Sequence, residues 1–443
     1  MPVTLDIGTT LLEARWLIPV VPRAVFEKHT LVMSAGRIVD LLPRELARAR
    51  YPQAQIVSLH EHLLMPGLIN LHTHAAMCLL RGLADDVPLM LWLKQHIWPA
   101  EKALLSSDFV HDATRLACAE MLASGTTTFN DMYFYPQATA NVVTQIGMRA
   151  HLGIPVLELP TPYASTVDDY LHQGFSLHEA WHQSPLISLS LAPHAPYTVS
   201  DTAFEKVLFH AQRLGLGIHT HLHETQVEIE QSQAQYGLRP LARLARLGLL
   251  KYKVVMAHGV HLLSQEIHLL SRHDIHVAHC PSSNLKLGSG IAPIAALLRA
   301  GVNVGVGTDG SASNNRLDML RELHLVALLT KGASGDASIA PALEVIAMAT
   351  INAAHALGLE QEIGSLEVGK VADMIAIKLN DVYNGPCFDA ASHLVYVCGR
   401  ENVSHTWVNG RLLYCHGEYT SLDSTQLHNT VSHWQNELRK YAK

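Results

Sequence analysis

The sequence predicts an α/β protein: a TIM-like (β/α)8 barrel carrying a small β-sandwich module built from both chain ends. Three observations lead there. Strand-length apolar runs alternate with amphipathic helical stretches through about 300 central residues. Short strands with turn signals crowd both ends. Histidine or aspartate closes six of the eight central strands.

The elements follow in chain order. Residues 1–62 read as short strands, "ARWLIPVV" and then "TLVMSAGRIVDLLP", with "AGRI" as a hairpin turn. Eight barrel strands are expected at 64–74, 126–132, 149–157, 186–194, 217–224, 254–259, 276–280 and 303–309. Helices separate them, such as "SDFVHDATRLACAEMLASG" (107–125), which Gly125 stops. Past the barrel, "GKVADMIAIKL" (369–379), "HLVYVCG" (393–399) and "VSHTWVNGRLLY" (403–414) read as strands, with Asn409-Gly410 as a hairpin signal. Residues 1–62 and 365–443 therefore form the composite β module, and residues 63–364 the metal-dependent catalytic barrel. A doubly wound sheet is the alternative arrangement of the same units.

Composition narrows the class. With 48% hydrophobic and 16% charged residues the chain buries a substantial core. A net charge of −7 without a basic run argues against a nucleic-acid partner. No window offers the roughly 18 unbroken apolar residues of a membrane span. The opening "MPVTLDIGTTLLEARWLIPV" has acidic residues where a signal peptide is basic, and six scattered cysteines suit reduced thiols, so a cytoplasmic protein is expected.

Barrel chemistry sits at the C-terminal ends of the strands. There the sequence places His72 and His74 ("HTH"), His194 ("APHAPYT"), His219, His221, His223 and Glu224 ("HTHLHET"), His258, His279 and Asp309. His72 and His74 alternate, so an extended strand points both to one side. A catalytic zinc takes three or four N/O ligands and keeps a position for water. His72, His74, His221 and Asp309 supply such a set, although periodicity alone does not choose among His219, His221 and His223. Glu224 is a candidate proton carrier. "HEAWH" (His178, Glu179, His182) fits a zincin motif, but it precedes a strand and is expected on a helix outside the barrel. Trp92 and Trp98, on a helix after the first strand, are either core or a cover for an aromatic base.

Together "PGLINLHTH", "HTHLHET", "AHGVHL", "AHCPSSNLKLGSG" and "GTDGSASNN" resemble the amidohydrolase superfamily over nearly the whole chain. "LADDVPLMLWLKQHIWPAE" is similar to the branch that deaminates 5'-methylthioadenosine and S-adenosylhomocysteine. The resemblance implies one Zn²⁺, or a similar divalent ion, on His72, His74, His221 and Asp309. It selects His221 as the histidine three residues before the HxxE glutamate, Glu224. Binuclear members carry a carboxylated lysine at the end of the fourth strand, and "LISLSLAPHAPYT" has none. The resemblance also places catalytic roles on Glu224, His258 and Asp309, and substrate contacts on Glu101 (ribose), Arg149 (supporting the 5' side or orienting nearby acidic groups), His194 (purine) and Glu224. The implied reaction is hydrolytic deamination of 5'-methylthioadenosine, with S-adenosylhomocysteine or adenosine second, to the inosine analogue and ammonia. The implied partners are a small purine nucleoside and further copies of the chain, most simply one in a homodimer. Guanine deaminases and s-triazine hydrolases share much of this text and give the alternative substrates. A metal-free scaffold of the same superfamily is the distant alternative.

Overall fold

The computed structural model describes residues 8–442; residues 1–7, part of the stretch read against a signal peptide, lie outside the described residues. Eight parallel strands run Leu68–Thr73, Thr126–Asp131, Arg149–Val156, Ile187–Pro193, Gly217–Leu222, Val254–His258, Ile275–His279 and Val304–Val306. Each pairs with the next in chain order, with helices between them, which excludes the doubly wound alternative. The last strand meets the first through a few bonds instead of a ladder. Asp309 N–H donates to the His72 carbonyl at 2.9 Å, and Thr308 N–H to Asn70 Oδ1 at 3.0 Å. Closure requires glycine here: a Cβ on Gly307 would lie 2.7 Å from the His72 nitrogen.

Capping residues start the helices where the sequence changes texture. Ser106 accepts from Phe109 N–H ahead of Ser107–Ala123, and Gly125, at φ +84°, lies just past that helix. Thr166 and Asp169 form a reciprocal capping box at Val167–Trp181.

The chain ends meet in one nine-stranded mixed sheet. Strand Gln55–Pro66 is its centre, parallel to Thr10–Leu17 and antiparallel to Met374–Lys378. Two hairpins turn on left-handed pairs, Ala35-Gly36 (φ 50° and 76°) and Asn409-Gly410 (φ 52° and 70°). Leu12, Leu31, Leu64, Met374 and Trp407 pack beneath this sheet.

Two expectations are corrected. The strand read at 64–74 breaks at Gly67, so residues 63–66 belong to the terminal sheet. Gly67 N–H donates to the Asp373 carbonyl at 3.0 Å, and a Cβ there would collide with Thr127 at 2.2 Å. "HLVYVCG" is not a strand. Asp389 accepts from Ala391 and Ser392 N–H and starts the helix Ala390–Tyr396 instead. The chain ends in a helix, Ser424–Leu438, fastened to the barrel by Trp434 Nε1–H donating to Asp112 at 2.9 Å. Among the described residues no helix is long and apolar enough to cross a membrane, and all six cysteines are free thiols.

Candidate active site

At the C-terminal mouth of the barrel the strand ends surround a cavity of about 100 Å³. Three strand-end residues there, His223, His258 and Asp309, have φ of 58°, 75° and 61°. Left-handed backbone is costly for residues other than glycine and tends to cluster at functional sites.

His72, His74, His221 and Asp309 converge at the floor. His74 Nδ1–H donates to the Met132 carbonyl (2.5 Å) and His221 Nδ1–H to the His194 carbonyl (2.6 Å). A carbonyl oxygen only accepts, so both neutral rings present bare Nε2 lone pairs. Those two nitrogens face each other at 3.2 Å. Asp309 Oδ1 stands 3.2 Å from His74 Nε2 and 3.4 Å from His72 Nε2, and the latter is buried with no hydrogen-bond partner. Lone pairs gathered this closely repel unless a cation sits among them. The residues fit a divalent ion with nitrogen and oxygen ligands.

Electrostatics lead to the same conclusion. Burial holds His221 well below the usual histidine range and His72 down at about 4. Burial also opposes charge on His74, but the Asp309 carboxylate outweighs it and raises that ring to about 9. Burial alone would raise Asp309 as well, yet the His72 and His74 contacts keep its carboxyl well below the carboxylate range. A proton on His74 thus takes part of a cation's place when none is bound.

Beside the floor, Glu224 lies 3.8 Å from His258 Nε2, and burial raises its carboxyl. His258 Nδ1–H donates to Asn284 Oδ1 at 2.8 Å, which leaves Nε2 facing the cavity. Glu228 accepts from the backbone N–H groups of His223 (3.0 Å) and Glu224 (2.8 Å) and fixes that turn. Asp309 Oδ2 accepts from Ser283 (2.6 Å) and Ser313 (3.0 Å). None of Asn284, Glu228, Ser283 or Ser313 was singled out from sequence. Asn284, Ser283 and Ser313 lie in the quoted motifs and Glu228 just past one, but only three-dimensional placement reveals which atom each one holds.

The three alternating histidines separate. His219 backs His72 at 2.9 Å, His221 enters the cavity, and His223 is turned aside by its left-handed φ to accept from Leu241 N–H at 3.0 Å. His279 is buried away from the cavity lining. His194 lines the cavity, its ring fixed by Thr198 at 2.9 Å and held down at about 3 by burial. Trp92, Trp98 and Glu101 line the opposite wall, on a segment with one π-helical turn, Leu93–Ile97. Tyr133 OH donates to Glu101 at 2.7 Å, and burial raises the Glu101 carboxyl to about 7.

Arg149 is a correction. It begins its strand at the N-terminal end of the barrel, opposite the mouth, and pairs with Asp373 (2.9 Å) and the Pro185 carbonyl (2.6 Å). It does not reach the cavity. His178 and His182 of "HEAWH" stack at 5.1 Å on the helix Val167–Trp181 and its C-cap, away from the cavity, with no third ligand among the described residues.

Comparison with known proteins identifies the family. Residues 63–413 match the model of the Amidohydrolase family. A Saccharophagus degradans protein named 5-methylthioadenosine/S-adenosylhomocysteine deaminase is 44% identical, covering 97% of this chain and 96% of that protein. A Teredinibacter turnerae protein of the same name is 46% identical over 96% of this chain and 97% of its own length. The crystal structure of an adenosine deaminase from Xanthomonas campestris with bound zinc superposes with a TM-score of 0.96, at 44% identity over 97% of this chain and 98% of that one. The chain belongs to the amidohydrolase family, in its 5-methylthioadenosine/S-adenosylhomocysteine deaminase branch.

Proposed function

We propose that the chain hydrolytically deaminates adenine nucleosides, 5'-methylthioadenosine first, to the inosine analogue and ammonia. The observation that carries this reading is the Nε2 pair of His74 and His221, facing each other beside Asp309, at the floor of an apolar cavity whose other carboxylates, Glu224 and Glu101, stand at separate points. His72, His74, His221 and Asp309 would hold one divalent ion, Zn²⁺ or similar, which would supply Lewis-acid activation of water near neutral pH.

The protein's own groups do the rest. Asp309, its carboxylate oriented by Ser283 and Ser313, takes a proton from the attacking water. Attack at C6 breaks the aromaticity of the adenine and requires a proton at N1. Glu224, whose burial favours its acid form, delivers that proton. His258, held by Asn284, steadies the charge that develops on the oxygen. The proton held by Asp309 then passes to the 6-amino group, the C6–N bond breaks with release of ammonia, and the hydroxyl proton returns to Glu224 as the carbonyl forms. His194 positions the purine, and Glu101 accepts from the ribose hydroxyls.

Among the described residues no lysine or arginine lines the cavity, while Phe134, Leu157 and Leu287 do. That wall suits a methylthio group better than the charged amino-acid tail of S-adenosylhomocysteine. The test is an ammonia-release screen over purine nucleosides, free bases and chloro-s-triazines. The highest kcat/KM is expected for 5'-methylthioadenosine, with S-adenosylhomocysteine below it. Preference for free guanine or a triazine over every nucleoside would overturn the assignment.

A further inference from the structure

A second set of metal-ligating side chains lies outside the barrel, on the sheet made by the chain ends. We propose that His405, Cys415 and His416, with His62 beside them, form a second transition-metal site that ties the C-terminal hairpin to the N-terminal strand.

His405 and Cys415 are directly opposed across the antiparallel pair Val403–Val408 and Arg411–Cys415, so their side chains share a face. His416 follows at once, at φ 48°, with Gly417 at 92°, in the turn leading to Glu418–Tyr419. Its N–H donates to the Ser404 carbonyl at 2.8 Å, and its ring lies 4.7 Å from that of His405. The donor atoms of His405, Cys415 and His416 all fall within 4.8 Å of one another.

The hydrogen bonds set the tautomer of His405. The Ser404 hydroxyl gives its only proton to the Ala376 carbonyl (3.0 Å) and therefore accepts from His405 Nδ1–H (2.8 Å). The neutral ring is left with a lone pair at Nε2. Trp407, stacked on it at 5.1 Å and 4°, fixes its plane. An outer partner that fixes the tautomer of an imidazole is a common support for a metal ligand.

His62 supplies the independent observation. Its ring is 6.0 Å from that of His405, edge to face, and only 8% exposed. Both of its nitrogens are buried without a hydrogen-bond partner. A buried imidazole with neither nitrogen satisfied is costly unless something unseen engages it. One sulfur and two or three imidazole nitrogens select Zn²⁺ and its neighbours over Mg²⁺ or Ca²⁺. On binding, Cys415 ligates as the thiolate and its proton passes to solvent.

The test uses the full-length enzyme dialysed against Zn²⁺, followed by metal analysis. Two ions per chain are expected in the wild type and one in Cys415→Ser and in His416→Asn, with deaminase activity unchanged in both. Asparagine tolerates the left-handed turn, so His416→Asn separates lost ligation from lost folding. Substitution with Co²⁺ gives a second readout. The barrel site has no sulfur ligand, so a thiolate-to-cobalt charge-transfer band reports this site alone, whatever reaction the barrel performs. Its presence in wild type and absence in Cys415→Ser supports the site. One ion per chain with no such band overturns it.

Discussion

Arg149 and Asp373 form a buried ion pair, Nε to Oδ2 at 2.9 Å, joining the start of the third barrel strand to the sheet of the chain ends. Asp373 also accepts from Asn409 N–H at 2.6 Å through Oδ1 and from Gly67 N–H at 3.0 Å through its carbonyl. One aspartate therefore holds the barrel, the crossing at Gly67 and the Asn409-Gly410 turn together. Replacing Arg149 with Met leaves its carboxylate buried and unpaired, a change that costs about 3–5 kcal/mol in comparable cases. Chemical denaturation of Arg149→Met should show a loss of that size, while KM for the nucleoside stays within about twofold. A KM raised tenfold with unchanged stability would return Arg149 to the substrate side.

Metal loading should depend on pH through His74. Its ring must lose a proton to ligate, and Asp309 holds that proton up to about 9. The sign follows directly: the proton and the ion compete, so affinity falls as pH falls below about 9. One displaced proton corresponds to about a tenfold change in apparent affinity per pH unit. Competition against a chelator at several pH values measures the slope, and a flat profile between pH ~6 and ~8 contradicts the competition.

Substrate binding should depend on Glu101. Burial raises its carboxyl to about 7, and only the ionised form accepts from both ribose hydroxyls. KM should therefore fall as pH rises through about 7, and the trend should vanish in Glu101→Gln. The same raised carboxyl favours folding at low pH, and this contribution is lost as pH rises through about 7.

Removing the support of His258 tests positioning. With Asn284→Ala, Nδ1 loses its 2.8 Å acceptor and the ring is free to turn. Loss of such an outer partner commonly costs about 10–100-fold. That loss is expected in kcat, with metal content unchanged by elemental analysis; a variant as fast as the wild type would make the Asn284 contact incidental.

Much of this was legible in the sequence, for identifiable reasons. Apolar strand runs separated by capped helices locate the barrel, because one-sided burial imposes period on each element. The convergence of His72, His74, His221 and Asp309 follows from strand ends facing one mouth. Three features could not be read from periodicity, although the family resemblance already singled out His221. The choice of His221 over His223 depends on a left-handed φ at His223, which alternation does not encode. The helix Ala390–Tyr396 depends on the Asp389 cap overriding an apolar run of strand character. The role of Arg149 depends on Asp373, more than two hundred residues away in the chain.

The most direct test of the chemistry is Glu224. It follows Leu222, the last residue of its strand, by two positions, and Glu228 pins its backbone at 2.8 Å. Its carboxylate faces His258 at 3.8 Å, with Ser289 at 3.5 Å on the other oxygen. Glutamine keeps the shape and the hydrogen-bonding capacity but has no proton to deliver at N1. Because the ligand set is untouched, Glu224→Gln should bind one Zn²⁺ in the barrel with wild-type affinity. General acid catalysis is worth about 10²–10⁴-fold, so kcat should fall by at least about two orders of magnitude. The loss should appear in kcat and kcat/KM alike, since the proton is needed only as the tetrahedral centre forms. If the variant binds zinc normally and turns over within about threefold of wild type, Glu224 is a structural neighbour of His258 and the proton reaches N1 by another route.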